Sequence, residues 1–303
     1  MSGKQVRILL WCVPRSVSTA FVMSMGNLDD VKIINEPYIS AFRVGPDIQD
    51  RSEAYKEMTE NMQKITAGVE VNCKNALESG DCSYEYIKEN ILEAEYPGKK
   101  VVIAKDMSYA ISEQLHMLPK GYRHAFLIRN PAKVFPSYKK LLDRFTQAGK
   151  EAFLEVGKNK LVPEYYAFGE SWKLYEYLTK TGIEPKPFVM DADDLLENPE
   201  YILRQFCSYA GIKYTDKLLA WDGGDDVTKH WTTSKAMLQR NKVTNYHKKA
   251  FESKGFGKPS LTTPTRSEMS EDVVHCIDES HPFYEKLYEL RTKVNRSTET
   301  KIK

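Results

Sequence analysis

The sequence predicts an α/β protein in which helices flank a central parallel sheet. Short runs of β-branched and apolar residues alternate with long amphipathic stretches, which is the pattern of parallel strands joined by helical crossovers. The chain has 303 residues, 41% of them hydrophobic and 28% charged, so its composition is that of a globular protein with a large core. No internal repeat interrupts the pattern, and we expect a single domain over residues 1–303.

Five apolar runs are predicted to be strands: 6–13, 31–35, 101–104, 125–128 and 188–191. Helices should connect them. One helix has clear ends, because Asn198 is a good N-cap, Pro199 suits the first helical position and Gly211 is a typical terminator. Helical patterns also occur at 51–66 and 84–94.

Two stretches fit this pattern poorly. Residues 38–98 are longer than a plain crossover needs, so they are interpreted as a substrate-side insertion. Residues 221–271 are polar and weakly periodic, which predicts long, lid-like loops over the carboxyl edge of the sheet. The last residues, 294–303, are expected to be a frayed tail.

Charge and cysteine content narrow the class of protein. Lys and Arg number 44 against 42 Asp and Glu, which argues against a protein that coats nucleic acid or an acidic membrane. The five cysteines are widely spaced, so we expect reduced thiols, a cytoplasmic location and no metal site. The longest apolar run, residues 8–13, is too short to span a bilayer. The oligomeric state stays open.

A polar turn follows the first strand directly and is itself followed by a helical pattern. Free backbone amides and the helix dipole favour an anion at such a junction, and Arg15 adds a full positive charge. Ser16, Ser18 and Thr19 offer hydroxyl donors. An ordinary capped helix start would have similar residues. The chain has no Gly-Lys-Ser/Thr sequence of the kind found in P-loop kinases.

A second anion signal follows the fourth strand. Arg129 stands at the strand end, Pro131 opens the next helix, and Ser137 comes eight residues after Arg129. Arg129 and Ser137 could converge on one phosphate. Because open α/β sheets bind ligands at the carboxyl ends of their strands, the two anion signals are predicted to lie at one ligand-binding edge of the sheet. Alternatively, Arg129 pairs with a carboxylate and Ser137 lies on a solvated helix face.

These motifs in order resemble those of the sulfotransferases that use 3′-phosphoadenosine 5′-phosphosulfate (PAPS). Residues 14–19 resemble their 5′-phosphosulfate loop, and residues 129–131 with Ser137 resemble their 3′-phosphate motif. Residues 190–199 with Gly211, and 281–291, resemble further family segments, so the likeness covers about residues 6–213 and a closing helix. The resemblance implies a P-loop NTPase-like sulfotransferase fold, PAPS as cofactor, and these cofactor-binding residues: Arg15, Ser16, Val17, Ser18, Thr19, Arg129 and Ser137.

The chain departs from the family at three positions. Val17 stands where Gly is usual, so a β-branched residue must take up the turn. Arg15 replaces the Lys of the cytosolic enzymes, although the protein-tyrosine branch also has Arg. Met107 occupies the position of the cytosolic branch's His base, two residues after Lys105.

Sulfuryl transfer needs positive charge on the sulfonate and leaving phosphate, and a base for the acceptor proton. Arg15 and Lys105 are assigned the first role. Glu36 is assigned the second, because Pro37 leaves it at the sheet edge and its position resembles the glutamate base of the protein-tyrosine branch. Glu36 could instead merely pair with Arg15, and Lys105 could belong to a salt-bridged edge. Asp106 and His230 are the reserve bases.

The function predicted is transfer of a sulfuryl group from PAPS to a hydroxyl or amine of a small-molecule acceptor. A protein that binds the nucleotide without turnover and a noncanonical P-loop kinase are the alternatives. The basic, glycine-containing segment 248–258 is either a solvated loop or a cover for the 3′-phosphate. Six aromatic residues are either core or acceptor-pocket lining: Tyr38, Phe42, Phe145, Tyr165, Tyr166 and Phe168.

Overall fold

A parallel sheet of seven strands forms the centre of the part of the chain described by the computed structural model, residues 5–47, 53–142, 164–259 and 262–294. The strands are β1 (Val6–Cys12), β2 (Val31–Asn35), β3 (Asn75–Leu77), β4 (Val101–Met107), β5 (Arg123–Ile128), β6 (Phe188–Asp191) and β7 (Thr232–Ser234). Their order across the sheet is β3-β7-β2-β4-β1-β5-β6, and every paired neighbour is parallel. The predicted fold class is confirmed.

All five predicted strands are present, and the sequence missed two. Strands β3 and β7 have three residues each and no apolar run, so they gave no pattern to detect. Strand β4 continues three residues beyond its predicted end, because Lys105, Asp106 and Met107 are all buried and paired within the sheet. This extension carries Lys105 and Asp106 to the carboxyl edge, where the site lies.

Helices cover both faces of the sheet. They are α1 (Ser18–Met25), α2 (Pro37–Val44), α3 (Glu53–Thr66), α4 (Tyr84–Tyr86), α5 (Pro131–Leu142), α6 (Phe168–Lys180), α7 (Ala192–Glu197), α8 (Pro199–Ala210), α9 (Lys235–Thr244), α10 (Lys248–Phe251) and α11 (Glu271–Glu289). A π-helical segment, Ile87–Leu92, continues α4. The helical patterns at 51–66 and 84–94 are therefore confirmed where the structure describes them.

Helix α8 has the ends that its sequence predicts. The Asn198 side chain accepts a hydrogen bond from the Tyr201 amide at 3.2 Å, and Pro199 occupies the first turn. Gly211 ends the helix in a left-handed conformation, with φ 72°, which glycine adopts without steric cost. Local capping chemistry therefore sets both ends of this helix.

The prediction of long loops over 221–271 is wrong for a large part of that stretch. Strand β7 and helices α9 and α10 lie within it, and Ser234 caps α9 by accepting from the Met237 amide. No amphipathic pattern marks α9, because Thr244 is the only buried residue of this helix. The tail at 295–303 lies outside the described residues.

Two apolar clusters, one on each face of the sheet, hold β1 in place. Leu9 and Trp11 point into one cluster, and Ile8 and Leu10 into the other. All four are fully buried, and burial of each such side chain contributes about 1.5–3 kcal/mol. The end of β1 is therefore a rigid base for the turn that follows. Within the described ranges, every helix is too short or too polar to cross a membrane.

Candidate active site

The turn between β1 and α1 has an unusual backbone. Arg15 and Val17 both adopt positive φ, 61° and 60°, and Val17 caps α1 in the left-handed region without a side-chain hydrogen bond. The first amides of α1, which have no acceptor within the helix, therefore lie at this turn, as in an anion-binding turn. The Ser16 hydroxyl donates to the Val13 carbonyl at 2.7 Å and so closes the turn itself.

The two predicted phosphate motifs meet in space. Arg15 Nε donates to the Ser137 hydroxyl at 3.2 Å, and Arg129 Nη1 donates to the Arg15 carbonyl at 2.7 Å. Ser137 is half-buried on α5 rather than on a solvated face. The turn after β1 and the segment after β5 therefore form one continuous surface, as the parallel pairing of β1 with β5 predicts.

Arg129 has the features of an anion ligand. Its Nε is buried without a hydrogen-bond partner, and among the described residues no carboxylate lies within ion-pair distance of it. Asp193, the nearby candidate, pairs with Lys133 at 2.7 Å. Burial lowers the pKa of Arg129 from its usual value, yet the guanidinium stays protonated. An unsatisfied buried donor beside Arg15 fits a phosphate ligand.

Glu36 and Lys105 form a buried ion pair at the ends of β2 and β4. Lys105 Nζ donates to the Glu36 carboxylate, and the two residues are 1% and 4% exposed. Burial raises the pKa of Glu36, but Lys105, together with His247 and Arg43, outweighs that effect and holds the pKa below the usual range. Burial likewise opposes the charge on Lys105, and Glu36 raises the pKa of that lysine. Glu36 thus pairs with Lys105, not with Arg15, and both groups are charged.

The carboxylate of Asp106, one of the two reserve bases, is held by backbone amides. Asp106 is fully buried, and its carboxylate accepts hydrogen bonds from the backbone amides of Tyr38, Ile39 and Met107. Burial raises the pKa of Asp106 to about 7, against the lowering by these amides. By capping the start of α2, Asp106 fixes Glu36, whose own backbone is left-handed at φ 56°. Asp106 is therefore a positioning residue.

A cavity lies beside Glu36. His247, from the turn between α9 and α10, also lines this cavity. His247 Nδ1 and Thr19 Oγ1 are 3.2 Å apart and share a hydrogen bond. Burial lowers the pKa of the half-buried imidazole to about 4, with Glu36 opposing and Lys105 and Arg15 reinforcing that shift. His247 is therefore a neutral ring next to the predicted base and the first turn. His230, the reserve base, is exposed and lies outside the cavity lining.

The aromatic residues that line the cavity are not those that the sequence analysis considered for an acceptor pocket. Of the six aromatic residues considered, Phe145 lies outside the described residues and the other five do not line the cavity. Tyr38, for example, is fully buried and donates to the Met117 carbonyl. The aromatic side chains that do line it are Tyr109, Tyr138, Trp231, Tyr246 and Phe251.

Sequence reasoning missed the cationic and imidazole groups of the cavity. Arg43, Arg240 and His247 line it, and they come from α2, α9 and the turn before α10. None belongs to a motif. Only Arg43 had a usable signal, because positions 36, 39 and 43 lie on one face of a helix. Among the described residues, no group of three or more His, Cys, Asp or Glu side chains could hold a metal ion.

In sequence, the chain is similar to two Arabidopsis thaliana proteins. Branched-chain-amino-acid aminotransferase-like protein 1 is 28% identical over 255 residues, which cover 82% of this chain and 36% of that protein. Branched-chain-amino-acid aminotransferase-like protein 2 is 28% identical over 219 residues, covering 71% and 31%. The chain thus spans about a third of the length of these relatives. No protein-family model matches the chain.

In structure, the chain is similar to a sulfotransferase from Alicyclobacillus acidocaldarius, with a TM-score of 0.50 and 11% identity over 96% of this chain and 98% of that one. Mouse sulfotransferase SULT7A1 complexed with PAP matches with a TM-score of 0.38 and 12% identity over 93% and 90%. The protein is therefore an α/β protein in which the two predicted anion motifs lie at one edge of the sheet. The chain has the fold of the sulfotransferase superfamily, as its motifs predicted.

Proposed function

We propose that this chain transfers a sulfuryl group from PAPS to a hydroxyl or amine of a small molecule. The observation that carries this proposal is the contact between the two anion motifs, in which Arg15 bonds Ser137 and Arg129 bonds the Arg15 carbonyl. The sulfotransferase fold supports it. The buried Glu36–Lys105 pair lies at the ends of neighbouring strands of the same sheet.

The nucleotide would be held from both sides of this contact. The turn after β1 takes the 5′-phosphosulfate, and the segment after β5 takes the 3′-phosphate. Backbone amides at the start of α1 and two guanidinium groups supply the positive potential for three anionic groups. The residues in these roles are Arg15, Ser16, Val17, Ser18, Thr19, Arg129 and Ser137.

PAPS supplies an activated sulfuryl group. The acceptor oxygen or nitrogen forms a bond to sulfur, the bond between sulfur and the 5′-phosphate oxygen breaks, and the acceptor proton passes to the Glu36 carboxylate. Arg15 and Lys105 stabilise the charge that develops on the leaving phosphate. Because Lys105 keeps Glu36 ionised, the carboxylate is ready to take the proton near neutral pH.

A small acceptor is favoured because side chains from several elements enclose the cavity beside Glu36. All five cysteines are free thiols, which supports a cytoplasmic location as part of the same proposal. The aminotransferase-like name of the sequence relatives describes proteins of which this chain matches about a third, so it assigns no activity here.

Two measurements separate this proposal from its alternatives. The product nucleotide, 3′-phosphoadenosine 5′-phosphate (PAP), should raise the melting temperature, whereas ATP with magnesium should not, because a ligand that binds the folded state stabilises it. Labelled sulfate should then move from PAPS to members of an acceptor panel. Stabilisation by ATP alone would favour a kinase. Binding of PAP without any transfer would favour a protein that has lost turnover.

A further inference from the structure

His247 connects the turn after β1 with the cavity beside Glu36. Its Nδ1 atom lies 3.2 Å from the Thr19 hydroxyl, and the residue lines the cavity. The backbone amide of His247 donates to the Asn241 side chain at 2.8 Å, and the ring packs against Phe251 with ring centroids 6.0 Å apart. The imidazole is therefore held in one position between the two sites.

Two polar atoms at the Glu36 end of the cavity make no hydrogen bond within the described ranges. One is the second carboxylate oxygen of Glu36, since Lys105 donates to Oε1. The other is Nε2 of His247, since the Thr19 contact uses Nδ1. Neither belongs to the buried polar atoms without a partner in the described residues, so a ligand can reach both. His247 lowers the pKa of Glu36, and Glu36 acts to raise that of His247, so the two side chains are close in space.

The position of one proton decides which nitrogen of His247 accepts a hydrogen bond. The ring is neutral, so one nitrogen carries a proton and the other a lone pair. Phosphate and sulfonate oxygens only accept hydrogen bonds, so in the proposed complex the single proton of the Thr19 hydroxyl points to the nucleotide. The Thr19 oxygen must then accept its hydrogen bond from Nδ1–H of His247. Nucleotide binding thereby fixes the tautomer in which Nε2 has the lone pair.

A hydroxyl and a primary amine differ in the number of hydrogen bonds that they donate. A hydroxyl has one O–H bond, which satisfies Glu36 and leaves Nε2 of His247 without a donor. A neutral primary amine has two N–H bonds and a lone pair, so it satisfies both residues and still attacks sulfur. Because an acceptor that loses water and gains no donor weakens binding, this end of the cavity discriminates against the hydroxyl.

We propose that the acceptor of this chain is a neutral primary amine, which donates one N–H bond to Glu36 and the other to Nε2 of His247. Its lone pair forms the bond to sulfur, the bond from sulfur to the 5′-phosphate oxygen breaks with its electron pair left on that oxygen, and one proton passes to Glu36. The second proton stays on the sulfamate product. Tyr109, Trp231 and Phe251 in the lining suit an aromatic body, and arylamines are neutral at physiological pH. This inference rests on the proposed function.

The test compares three probes of similar shape: 4-methylaniline, 4-methylphenol, and N,4-dimethylaniline, which has a single N–H bond. Binding is measured by NMR titration with and without PAP, and transfer is measured with labelled PAPS. With PAP bound, 4-methylaniline should bind about fivefold or more tightly than either other probe, and transfer should follow the same order. Without PAP, the imidazole can change tautomer and donate to the phenol oxygen, so the advantage should fall to about twofold or less.

Two variants, each saturated with PAP, test whether Thr19 and His247 create the preference. Thr19→Val keeps the branched shape but removes the hydroxyl, so PAP should no longer raise the advantage of 4-methylaniline above about twofold. His247→Leu removes the acceptor and should have the same result. Because each result is a ratio between probes on one variant, a folding defect does not imitate it. His230→Leu, at an exposed histidine outside the cavity lining, is the control and should keep the full preference.

The outcomes separate this inference from the proposed function. A preference that requires both PAP and His247, found without any sulfate transfer, would support recognition of a primary amine and count against the sulfotransferase activity. Equal binding of 4-methylphenol and 4-methylaniline, with equally efficient transfer to both, would overturn the inference and leave the activity standing. A preference that survives His247→Leu, or binding of none of the probes, would also overturn the inference.

Discussion

The phosphate turn after β1 and the cavity beside Glu36 lie at the same sheet edge, but they are built differently. The turn and its partner segment come from two short stretches, 14–19 and 129–137, and depend largely on backbone geometry. The cavity draws side chains from α2, the end of β4, α5 and the segment 231–251. Those side chains meet only because distant parts of the chain pack together.

The two regions therefore differ in how strongly ligand recognition depends on the identity of the side chains. Backbone amides in a left-handed turn present the same donors whatever the side chains are, so the nucleotide end is suited to one constant ligand. The cavity instead presents side chains, such as those of Arg43 and Met107, so its chemistry depends on which residues line it. We therefore expect the nucleotide end to define the reaction and the cavity to define the acceptor.

The largest effect should come from Glu36, where the two regions meet. Glu36→Gln should slow sulfate transfer by about 10²–10⁴-fold, because the amide cannot accept the acceptor's proton. The affinity for PAP should change by less than about twofold, since Glu36 makes no phosphate contact in our assignment. Radiolabelled transfer and calorimetry measure the two quantities.

Glu89→Gln, on the exposed side of the helical segment after α4, is the matched control and should behave like the parent chain. A Glu36→Gln chain that loses PAP affinity and transfer to the same extent would contradict the division between nucleotide end and base. Because Lys105 is left without its partner, the variant's melting temperature must be recorded as well.

A smaller effect is expected on the pH dependence of the unfolding free energy, through His247, which lines the cavity and contacts Thr19 of the turn. The pKa of His247 is held at about 4 in the folded chain, whereas an unfolded histidine titrates near 6.5. At this residue the unfolded chain takes up a proton first, so the contribution of His247 to the unfolding free energy is constant well above pH 6.5 and falls as the pH drops towards 4. We expect a loss of about 1–2 kcal/mol for this half-buried ring.

Urea denaturation of the parent chain and of the His247→Gln variant at pH 5 and pH 7 measures this loss as the difference between their pH dependences. His247→Gln should remove it, whereas His230→Gln, at an exposed histidine, should leave it as in the parent chain. If both variants kept the same pH dependence, His247 would not be the group that is held neutral beside Thr19.

The smallest effect concerns the strained turn. Val17 has φ 60°, which a β-branched residue adopts at a cost, so Val17→Gly should leave the unfolding free energy unchanged or raise it by up to about 1 kcal/mol. Val22→Gly, five residues later in α1 and fully buried, should lower it by about 3 kcal/mol or more. Equal losses in denaturant titrations would refute strain at Val17.

The sequence predicted the sheet edge better than the cavity, for physical reasons. Apolar runs and the caps of α8 are local signals, and the parallel arrangement brings Arg15 towards Ser137 once the strands are placed. The pairing of Glu36 with Lys105 was not among the alternatives, because one-dimensional spacing does not show which of two cations is closer.

His247 and α9 show the limit of sequence reasoning. Thr19 and His247 are 228 residues apart in sequence, and no periodic pattern marks either of them as a partner. Asp106 is an equally clear case. A carboxylate beside a lysine at a strand end suggests acid–base chemistry, yet its neighbours in space are the amides that open α2. Only the three-dimensional contacts of Asp106 distinguish a positioning role from a role in the reaction.

In the proposed complex, the Arg15 turn and the Arg129 segment hold the two ends of one nucleotide. Calorimetry of PAP and of adenosine 5′-phosphate, which lacks the 3′-phosphate, tests it directly with Arg129→Ala. We predict that this variant loses about 10²-fold in affinity for PAP and little for adenosine 5′-phosphate, so that its preference for PAP disappears. Equal losses for both nucleotides, or a preference for PAP that survives, would contradict the claim.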